Sequence, residues 1–249
     1  MCGRATVVNP DGIVEKVYGY TSRFVPTDWK PRYNLNPREG IPVVYYDPLL
    51  RQKTLRVMHW NLIPSTLGSR QDVDAFDAHY SSFNARIESV ATAPTFRDPW
   101  RSQRCLVVVD GMIEWVGGKG HKVPHLLRRR DTAPFALAGL WSRWRGANEG
   151  DEQWSCAVIV CGASRWYSRF HDRMALVISP EIFDEWLDPV RKDGQLELLR
   201  RAPSPMSKEL EYFPISRLVN NPRYDAPDCL VPASVGDAAS ASSRTPPIA

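Results

Sequence analysis

With 249 residues, of which 43% are hydrophobic, the chain can form one large domain or two small ones around a substantial core. It contains no apolar run of the roughly 18 residues that a membrane span needs, and Asp11, Glu15 and Lys16 stand where a signal peptide would be apolar, so we expect a cytoplasmic protein, nucleoid-associated if it is bacterial. The net charge of +4 allows a nucleic-acid partner without requiring one, and five cysteines in a chain of this length do not indicate a disulfide scaffold.

The predicted elements are mainly strands, because alternating or β-branched apolar runs are separated by turn signals. In chain order, we expect a helix at 11–18, strands at 41–46 and 54–60, a long polar surface loop at 65–82, a helix at 95–103, strands at 105–109, 112–116, 123–128, 135–141, 154–161 and 174–178, and helices at 181–187 and 190–201. The glycine-rich residues 117–120 predict a hairpin turn between two of these strands.

Strands and helices do not alternate as β–α–β units in this order, which predicts the α+β class with a mostly antiparallel sheet or closed barrel. We expect one domain over residues 1–232 and a disordered tail at 233–249, which is rich in Ala, Ser and Pro. We expect a monomer with no metal site: Cys156 and Cys161 are five residues apart in a predicted strand, so their thiols would point to opposite faces. The basic run at 128–130 is typical of a solvated hairpin edge.

The N-terminus carries the most distinctive chemistry. Methionine aminopeptidase removes Met1 when the next residue is small, which would leave Cys2 with a free α-amine beside its thiol. The amine, with a reference pKa of about 8, can condense with an aldehyde to a Schiff base, and the thiol can then close a five-membered thiazolidine ring on the same carbon. The alternative is that Cys2 is incidental and frays with the terminus.

Further polar residues stand in segments whose flanks predict ordered structure. Asn84 and Arg86 are two apart and share a face if the chain is extended, Glu114 lies among apolar residues, and His171 precedes a strand. Burial would raise the pKa of Glu114 toward neutrality and suit it to proton transfer. Residues 33–37 predict a turn that braces the N-terminus. The alternatives are that Asn84 caps a helix, Glu114 pairs with a nearby arginine, and His171 is a core histidine.

Five motifs occur in one order: Cys2-Gly3-Arg4, residues 33–37, 84–88, 111–115 and 171–174. Together they resemble the SRAP domain family of abasic-site processing proteins, over residues 2 to 232. The resemblance implies a β pseudo-barrel flanked by helices, with a positively charged groove for single-stranded DNA. It implies that Cys2 forms a thiazolidine with the ring-opened aldehyde of an abasic site, without a cofactor, and so shields the lesion in the DNA-damage and SOS response.

The same resemblance implies roles for individual residues. Asn84 would orient the opened deoxyribose chain, Glu114 would shuttle protons as rings open and close, and His171 would assist Schiff-base formation and β-elimination or its reversal. Arg4 and Arg86 would bind the phosphates that flank the lesion, which suits the guanidinium group. The protein would therefore act as a self-crosslinking, lyase-like enzyme, with a peptidase-like removal of its own Met1.

The chain departs from the family pattern in places that bear on the path of DNA. Asn61 replaces the glycine of the family's Trp-Gly-Leu motif, and the tryptophans that can stack on a base after the following proline are missing. Either this chain lacks the base-stacking wedge, or Phe76 or Tyr80 in the longer segment that follows replaces it. Met112 and Ile113 replace the aromatic pair before the glutamate, which removes no reactive group.

Two other function classes fit parts of the sequence. An N-terminal-nucleophile amidohydrolase of the glutamine amidotransferase type also begins Met-Cys-Gly, but it continues with apolar residues where this chain has Arg4. A noncatalytic single-strand-binding module would leave Cys2 without a role. A covalent DNA–protein product whose formation depends on Cys2 would distinguish the crosslinking enzyme from both of these classes.

Overall fold

A computed structural model describes residues 3–8, 29–118, 121–201 and 206–233. The strands in these ranges are β1 (Ala5–Val7), β2 (Arg32–Leu35), β3 (Gly40–Asp47), β4 (Gln52–His59), β5 (Asn84–Arg86), β6 (Arg104–Val109), β7 (Gly111–Val116), β8 (Val123–Arg129), β9 (Phe135–Arg145), β10 (Glu152–Gly162), β11 (Arg173–Ala175) and β12 (Leu210–Pro214). The helices there are α1 (Arg70–His79), α2 (Arg97–Ser102), α3 (Phe183–Leu187), α4 (Gln195–Arg201) and α5 (Met206–Glu209), with 3₁₀ turns at Pro180–Ile182, Arg217–Asn220 and Pro227–Leu230. Cys2, the predicted helix at 11–18 and residues 234–249 of the predicted tail lie outside the described residues.

The strands form two sheets. Sheet A has the order β12-β8-β7-β1-β2, and sheet B has the order β11-β10-β4-β3-β6-β9 with β5 paired to β10. A further pairing between β9 and β10 closes sheet B into a ring. Pairing is antiparallel except where β10 meets β4 and β5. The prediction of a mostly antiparallel α+β pseudo-barrel is therefore confirmed.

Apolar side chains fill a core between the sheets and cores on their outer faces. In β6, Cys105, Val107 and Val109 join the core shared with sheet A, whereas Leu106 and Val108 point to the helices that cover the other face of sheet B. Because both faces are covered, this strand is an unbroken apolar run rather than an alternating one. The outer face of sheet A packs on the turns of residues 217–230.

Several sequence predictions differ from the structure. The predicted surface loop at 65–82 contains α1, whose N-cap Ser69 accepts a hydrogen bond from the Asp72 amide, and which buries only Val73. Residues 33–37 begin as strand β2 before they turn. The last long predicted helix begins at Gln195 instead of residue 190, because Gly194 adopts a φ of 79° that ends helical geometry there.

In the part of the chain that the structure describes, every helix is too short or too polar to cross a membrane.

Candidate active site

Glu114 is a carboxyl group on the core-facing side of sheet A. Along β7, Met112 and Glu114 face the core shared by the two sheets, and Ile113 and Trp115 face the opposite side. Glu114 is 5% exposed, and the Tyr167 hydroxyl donates a 2.7 Å hydrogen bond to its Oε1. Burial raises the pKa of Glu114 to about 7, although the Tyr167 bond opposes the rise. The group can therefore take up or release a proton near neutral pH.

The connection between β10 and β11, residues 163–172, carries both Tyr167 and His171. The Ala163 amide donates to the Asp172 carbonyl at 2.9 Å and closes the base of this loop. The rings of Tyr167 and Phe170 are buried and meet edge to face with centroids 5.4 Å apart. The loop is thus anchored by aromatic packing, and it reaches from sheet B to Glu114 in sheet A.

His171 is partly exposed, with 38% of its side chain accessible, so it is not the core histidine of the alternative interpretation. Its Nδ1 lies 3.0 Å from the Arg173 amide and 2.5 Å from the Asp172 carboxylate. The two contacts belong to different protonation states: neutral Nδ1 accepts from the amide, and protonated Nδ1 donates to the carboxylate. Partial burial lowers the pKa of His171. Lys122 acts electrostatically on both His171 and Glu114, which indicates that the two groups share one region.

His125 is a second histidine near Glu114, and its position follows from strand register. It lies directly opposite Glu114 on β8, and its ring contacts Phe170 and Tyr212 with centroids 5.9 and 6.1 Å away. Its Nδ1 is 3.0 Å from the Val123 carbonyl, so Nδ1 carries the proton. Burial lowers the pKa of His125 and keeps the ring neutral. No local sequence pattern indicates His125 or Tyr167, because their proximity to Glu114 depends on pairing across strands and sheets.

The N-terminal segment enters the site beside β7. Strand β1 pairs with β7 in the register Ala5 to Met112, and the Ile113 amide donates to the Arg4 carbonyl at 3.0 Å. Gly3, the first described residue, is bonded directly to Cys2, which lies outside the described residues. The strand that carries Glu114 therefore holds the segment that leads to Cys2.

The Arg4 side chain points away from Glu114, to the other face of sheet A. Its Nη1 donates to Asn34 Oδ1 at 2.5 Å and to the Val219 carbonyl at 2.8 Å, and the guanidinium lies 5.3 Å from the centroid of the Trp115 ring. The Asn34 amide also donates to the carbonyls of Val219, Asn221 and Tyr224. The motif at 33–37 thus braces the N-terminal strand, as expected, and Arg4 is part of the brace.

Asn84 and Arg86 lie on β5, at the end of β10 from which the loop of residues 163–172 departs. Asn84 opposes Val158 and Arg86 opposes Val160, so both side chains share one face of β5, where Asn84 is partly buried and Arg86 is exposed. This strand position rules out the helix cap considered for Asn84. Just beyond β5, Glu88 receives a bidentate pair from Arg173, which holds the pKa of Glu88 at about 2 and ties β5 to β11.

Other candidates from the sequence lie apart from this region. Cys156 is buried in the core shared by the sheets, and Cys161 is on the opposite face of β10, as strand alternation predicts. Among the described residues, no three Cys, His, Asp or Glu side chains group as metal ligands. In the basic run, Arg128 pairs with Glu211 at 3.0 Å, and Arg129 pairs with Asp131 and Glu209.

The segment that carries Phe76 and Tyr80 is fixed by Asn61, whose side chain is fully buried. Its amide nitrogen donates to Asp77 Oδ1 at 2.7 Å and to the Tyr80 carbonyl at 3.0 Å, and its oxygen accepts from the Ser82 amide at 2.7 Å. Tyr80 is 61% exposed and stacks on Phe76 with ring centroids 4.9 Å apart. The residue that departs from the family pattern thus anchors the C-terminal end of α1, with an exposed aromatic ring beside it.

Known proteins resemble this chain in sequence and in fold. The chain is 29% identical over 234 residues to the abasic site processing protein YoqW of Bacillus subtilis, which covers 92% of this chain and 99% of that protein. It is 30% identical over 226 residues to YobE of B. subtilis, with 89% and 97% covered, and 26% identical over 238 residues to HMCES of Gallus gallus, with 84% and 68% covered. A solved structure from Bacteroides thetaiotaomicron, 21% identical, superposes with a TM-score of 0.79 over 94% of this chain and all of that one, and shows the same fold.

A model of one protein family, the SOS response associated peptidase (SRAP), matches residues 1–222, which include all five motifs and both sheets. The chain therefore belongs to the SRAP family.

Proposed function

We propose that the protein binds abasic sites in single-stranded DNA and, once Met1 is removed, crosslinks itself to them through Cys2. The names of the relatives point to abasic-site processing. One observation carries the proposal: β7 places the buried carboxyl of Glu114 in the strand that pairs with the segment leading to Cys2. The amine and thiol of Cys2 need a nearby group that exchanges protons at neutral pH, and burial raises the pKa of Glu114 to about 7.

The chemistry balances without a cofactor. The Cys2 α-amine adds to the aldehyde carbon of the opened abasic sugar, and the carbinolamine hydroxyl leaves as water after it gains a proton. Water loss leaves a protonated imine, and the thiol adds to its carbon as it gives up its proton: sulfur bonds to carbon, the C=N π pair becomes the nitrogen lone pair, and the nitrogen keeps its one proton. Protonated Glu114 supplies the proton for water loss, and its carboxylate form accepts the thiol proton. The reverse sequence opens the ring, so one group serves capture and release.

The other site residues take supporting roles in the proposal. His171, half-exposed and with a pKa lowered by partial burial, is neutral at physiological pH and can exchange a proton with the imine intermediate. Asn84 lies at the same end of β10 and orients the opened sugar through its amide. The exposed Arg86, two residues along the same face, contacts a flanking phosphate. Arg4 is the second arginine proposed to contact a flanking phosphate, and its described hydrogen bonds are to Asn34 and the Val219 carbonyl.

The test is incubation with a single-stranded oligonucleotide that carries one abasic site, followed by a denaturing gel and intact mass. The expected product has the summed masses of protein without Met1 and DNA less one water, and borohydride leaves its mass unchanged because a thiazolidine has no imine to reduce. An oligonucleotide with a reduced, aldehyde-free abasic analogue is the matched control. Absence of the adduct with mature wild-type protein contradicts the proposal.

Three variants separate the competing functions. Cys2→Ser keeps the amine and gives at most an imine that borohydride traps, and protein with Met1 retained gives no stable adduct. A noncatalytic binding module would bind single-stranded DNA equally well as the wild type, as Cys2→Ser and with Met1 retained, and none of these proteins would form a covalent product. An amidohydrolase would instead release ammonia from glutamine in a reaction lost with Cys2→Ala, which is the outcome that would favour that class.

A further inference from the structure

Tyr167 makes the closest described contact to the Glu114 carboxyl. Its ring is fully buried, its hydroxyl donates to Glu114 Oε1 at 2.7 Å, and the two residues come from different sheets and are 53 positions apart. The backbone around Tyr167 is fixed as well: its amide donates to the Ser164 carbonyl, and its carbonyl accepts from the Phe170 amide, both at 2.9 Å. The hydroxyl is therefore held in place from the loop side and aimed at one carboxyl oxygen.

We propose that Tyr167 is a positioning residue that fixes the Glu114 carboxyl and selects Oε2 as the oxygen that carries its exchangeable proton. A phenol that donates to Oε1 makes that oxygen an acceptor, in the acid as in the carboxylate. The proton of the acid form then resides on Oε2, and the carboxyl cannot rotate without breaking a buried hydrogen bond. This inference rests on the proposed function for the reaction that Glu114 serves.

The same bond also sets the balance between the two forms of Glu114. Burial favours the neutral acid, and the Tyr167 bond and the charge of Lys122 favour the carboxylate. The positive N-terminus acts on Glu114 in the same direction as Lys122. Two histidines lie in this region: His125, opposite Glu114 on β8, which burial keeps neutral, and His171, whose pKa burial also lowers. Of these groups, only Tyr167 contacts the carboxyl through a described hydrogen bond, so its removal should raise the pKa of Glu114 above its present value of about 7.

The molecule offers a matched control for loss of a buried phenol. Tyr45 is also fully buried in the core shared by the sheets, and its hydroxyl donates to Asp47 Oδ2 at 2.9 Å. Tyr45→Phe, like Tyr167→Phe, removes one buried tyrosine hydroxyl from this core, but it leaves the hydrogen bond to Glu114 intact. A general loss of stability will affect both variants, whereas an effect on the acid–base group will be confined to Tyr167→Phe.

The experiment measures single-turnover crosslinking rates from pH 5 to 9 for wild type, Tyr167→Phe and Tyr45→Phe on one abasic oligonucleotide. A hydrogen bond to a charged group is worth about 1.5 to 3 kcal/mol, which is equivalent to a pKa shift of about one to two. In Tyr167→Phe, the inflection of the rate–pH curve that is assigned to Glu114 should therefore move up by about one to two pH units. In Tyr45→Phe it should stay at the wild-type pH. An unmoved inflection in Tyr167→Phe, or an equal movement in both variants, overturns the positioning role.

A second substitution keeps the inference testable if Tyr167→Phe does not fold. Site-specific 3-fluorotyrosine at position 167 retains the ring and the hydroxyl, and it is a stronger donor, so the inflection should move down instead of up. No movement would overturn the inference. The proposed function is judged separately, because it fails only if mature wild-type protein forms no borohydride-stable adduct, whatever the pH profile of the variants.

Discussion

Replacing Asn61 by alanine should detach the C-terminal end of α1 from the barrel. The buried Asn61 side chain makes contacts with Asp77, Tyr80 and Ser82, and its oxygen receives both the amide and the hydroxyl of Ser82. The Ser82 hydroxyl also reaches the Leu62 carbonyl at 2.8 Å, and its single proton cannot serve both acceptors. Three of the four contacts are therefore lost outright on substitution.

The expected cost follows from those three bonds. At about 1 kcal/mol each, Asn61→Ala should lower the free energy of unfolding by about 3 kcal/mol. For a chain of this size, that corresponds to a fall in Tm of about 6 to 12 °C. The loss should be local as well, because the Tyr80 carbonyl and the Ser82 amide are the groups released.

Urea denaturation combined with hydrogen exchange tests this reasoning. Asn148→Ala, an exposed asparagine in the turn after β9, is the control and should change stability by less than about 0.5 kcal/mol. The backbone amides of residues 70–82 should exchange faster in Asn61→Ala than in wild type, while the amides of β6 and β9 should remain the slower-exchanging ones, as in wild type. A stability loss no larger than that of the control, or unaltered exchange at 70–82, would refute the anchoring role of Asn61.

Further outcomes are expected at three other positions. Glu114→Gln should be more stable than wild type above pH 7, because a rise in the pKa of Glu114 from 4.5 to about 7 costs the ionised wild type about 3 kcal/mol of folding free energy. This advantage should vanish below pH 4.5, and urea denaturation at a series of pH values measures it. Arg86→Ala should reduce the salt slope of single-strand binding by about one without loss of stability, whereas Arg4→Ala should also lower Tm because it removes the bonds to Asn34 and Val219. Tyr80→Ala should weaken binding by about 1 to 3 kcal/mol if its ring stacks on a base, and equal affinity would exclude that.

The sequence predicts those strands and helices in which buried apolar residues recur along the element. Strands β3, β6, β9 and β10 are apolar runs bounded by turn residues, and each was predicted within a few positions of its observed bounds. Helix α1 was missed because Val73 is its only buried residue, which leaves no apolar period to detect. The capping signal at Ser69 and Asp72 was present in the sequence and could have located the start of this helix.

The site was predictable only in part, because its contacts are not local. Glu114 stood out as an acid in an apolar segment, and His171 as a histidine before a strand. Tyr167, in contrast, lies in a segment of mixed aromatic and basic residues, and its contact with Glu114 arises only when the loop of residues 163–172 folds across to sheet A. The role of Asn61 is not visible in the sequence for the same reason, since its partners come from a segment that the sequence predicts to be a loop.

Glu114 occupies a position where the fold alone would favour an apolar side chain. Its neighbours on the same face of β7 are Met112, which is fully buried in the core between the sheets, and Val116, which is partly buried against that core. Glu114 is nearly as buried as Met112. Ionisation there opposes folding by about 3 kcal/mol at alkaline pH, a large share of the stability of a typical domain. Among the described residues, this buried acid has one hydrogen-bond partner, a phenol, and it forms no direct ion pair. Such a group is a poor structural element but a suitable proton donor and acceptor near pH 7. The cost to stability is therefore itself evidence that this carboxyl serves chemistry, and the stability of Glu114→Gln across pH measures that cost directly.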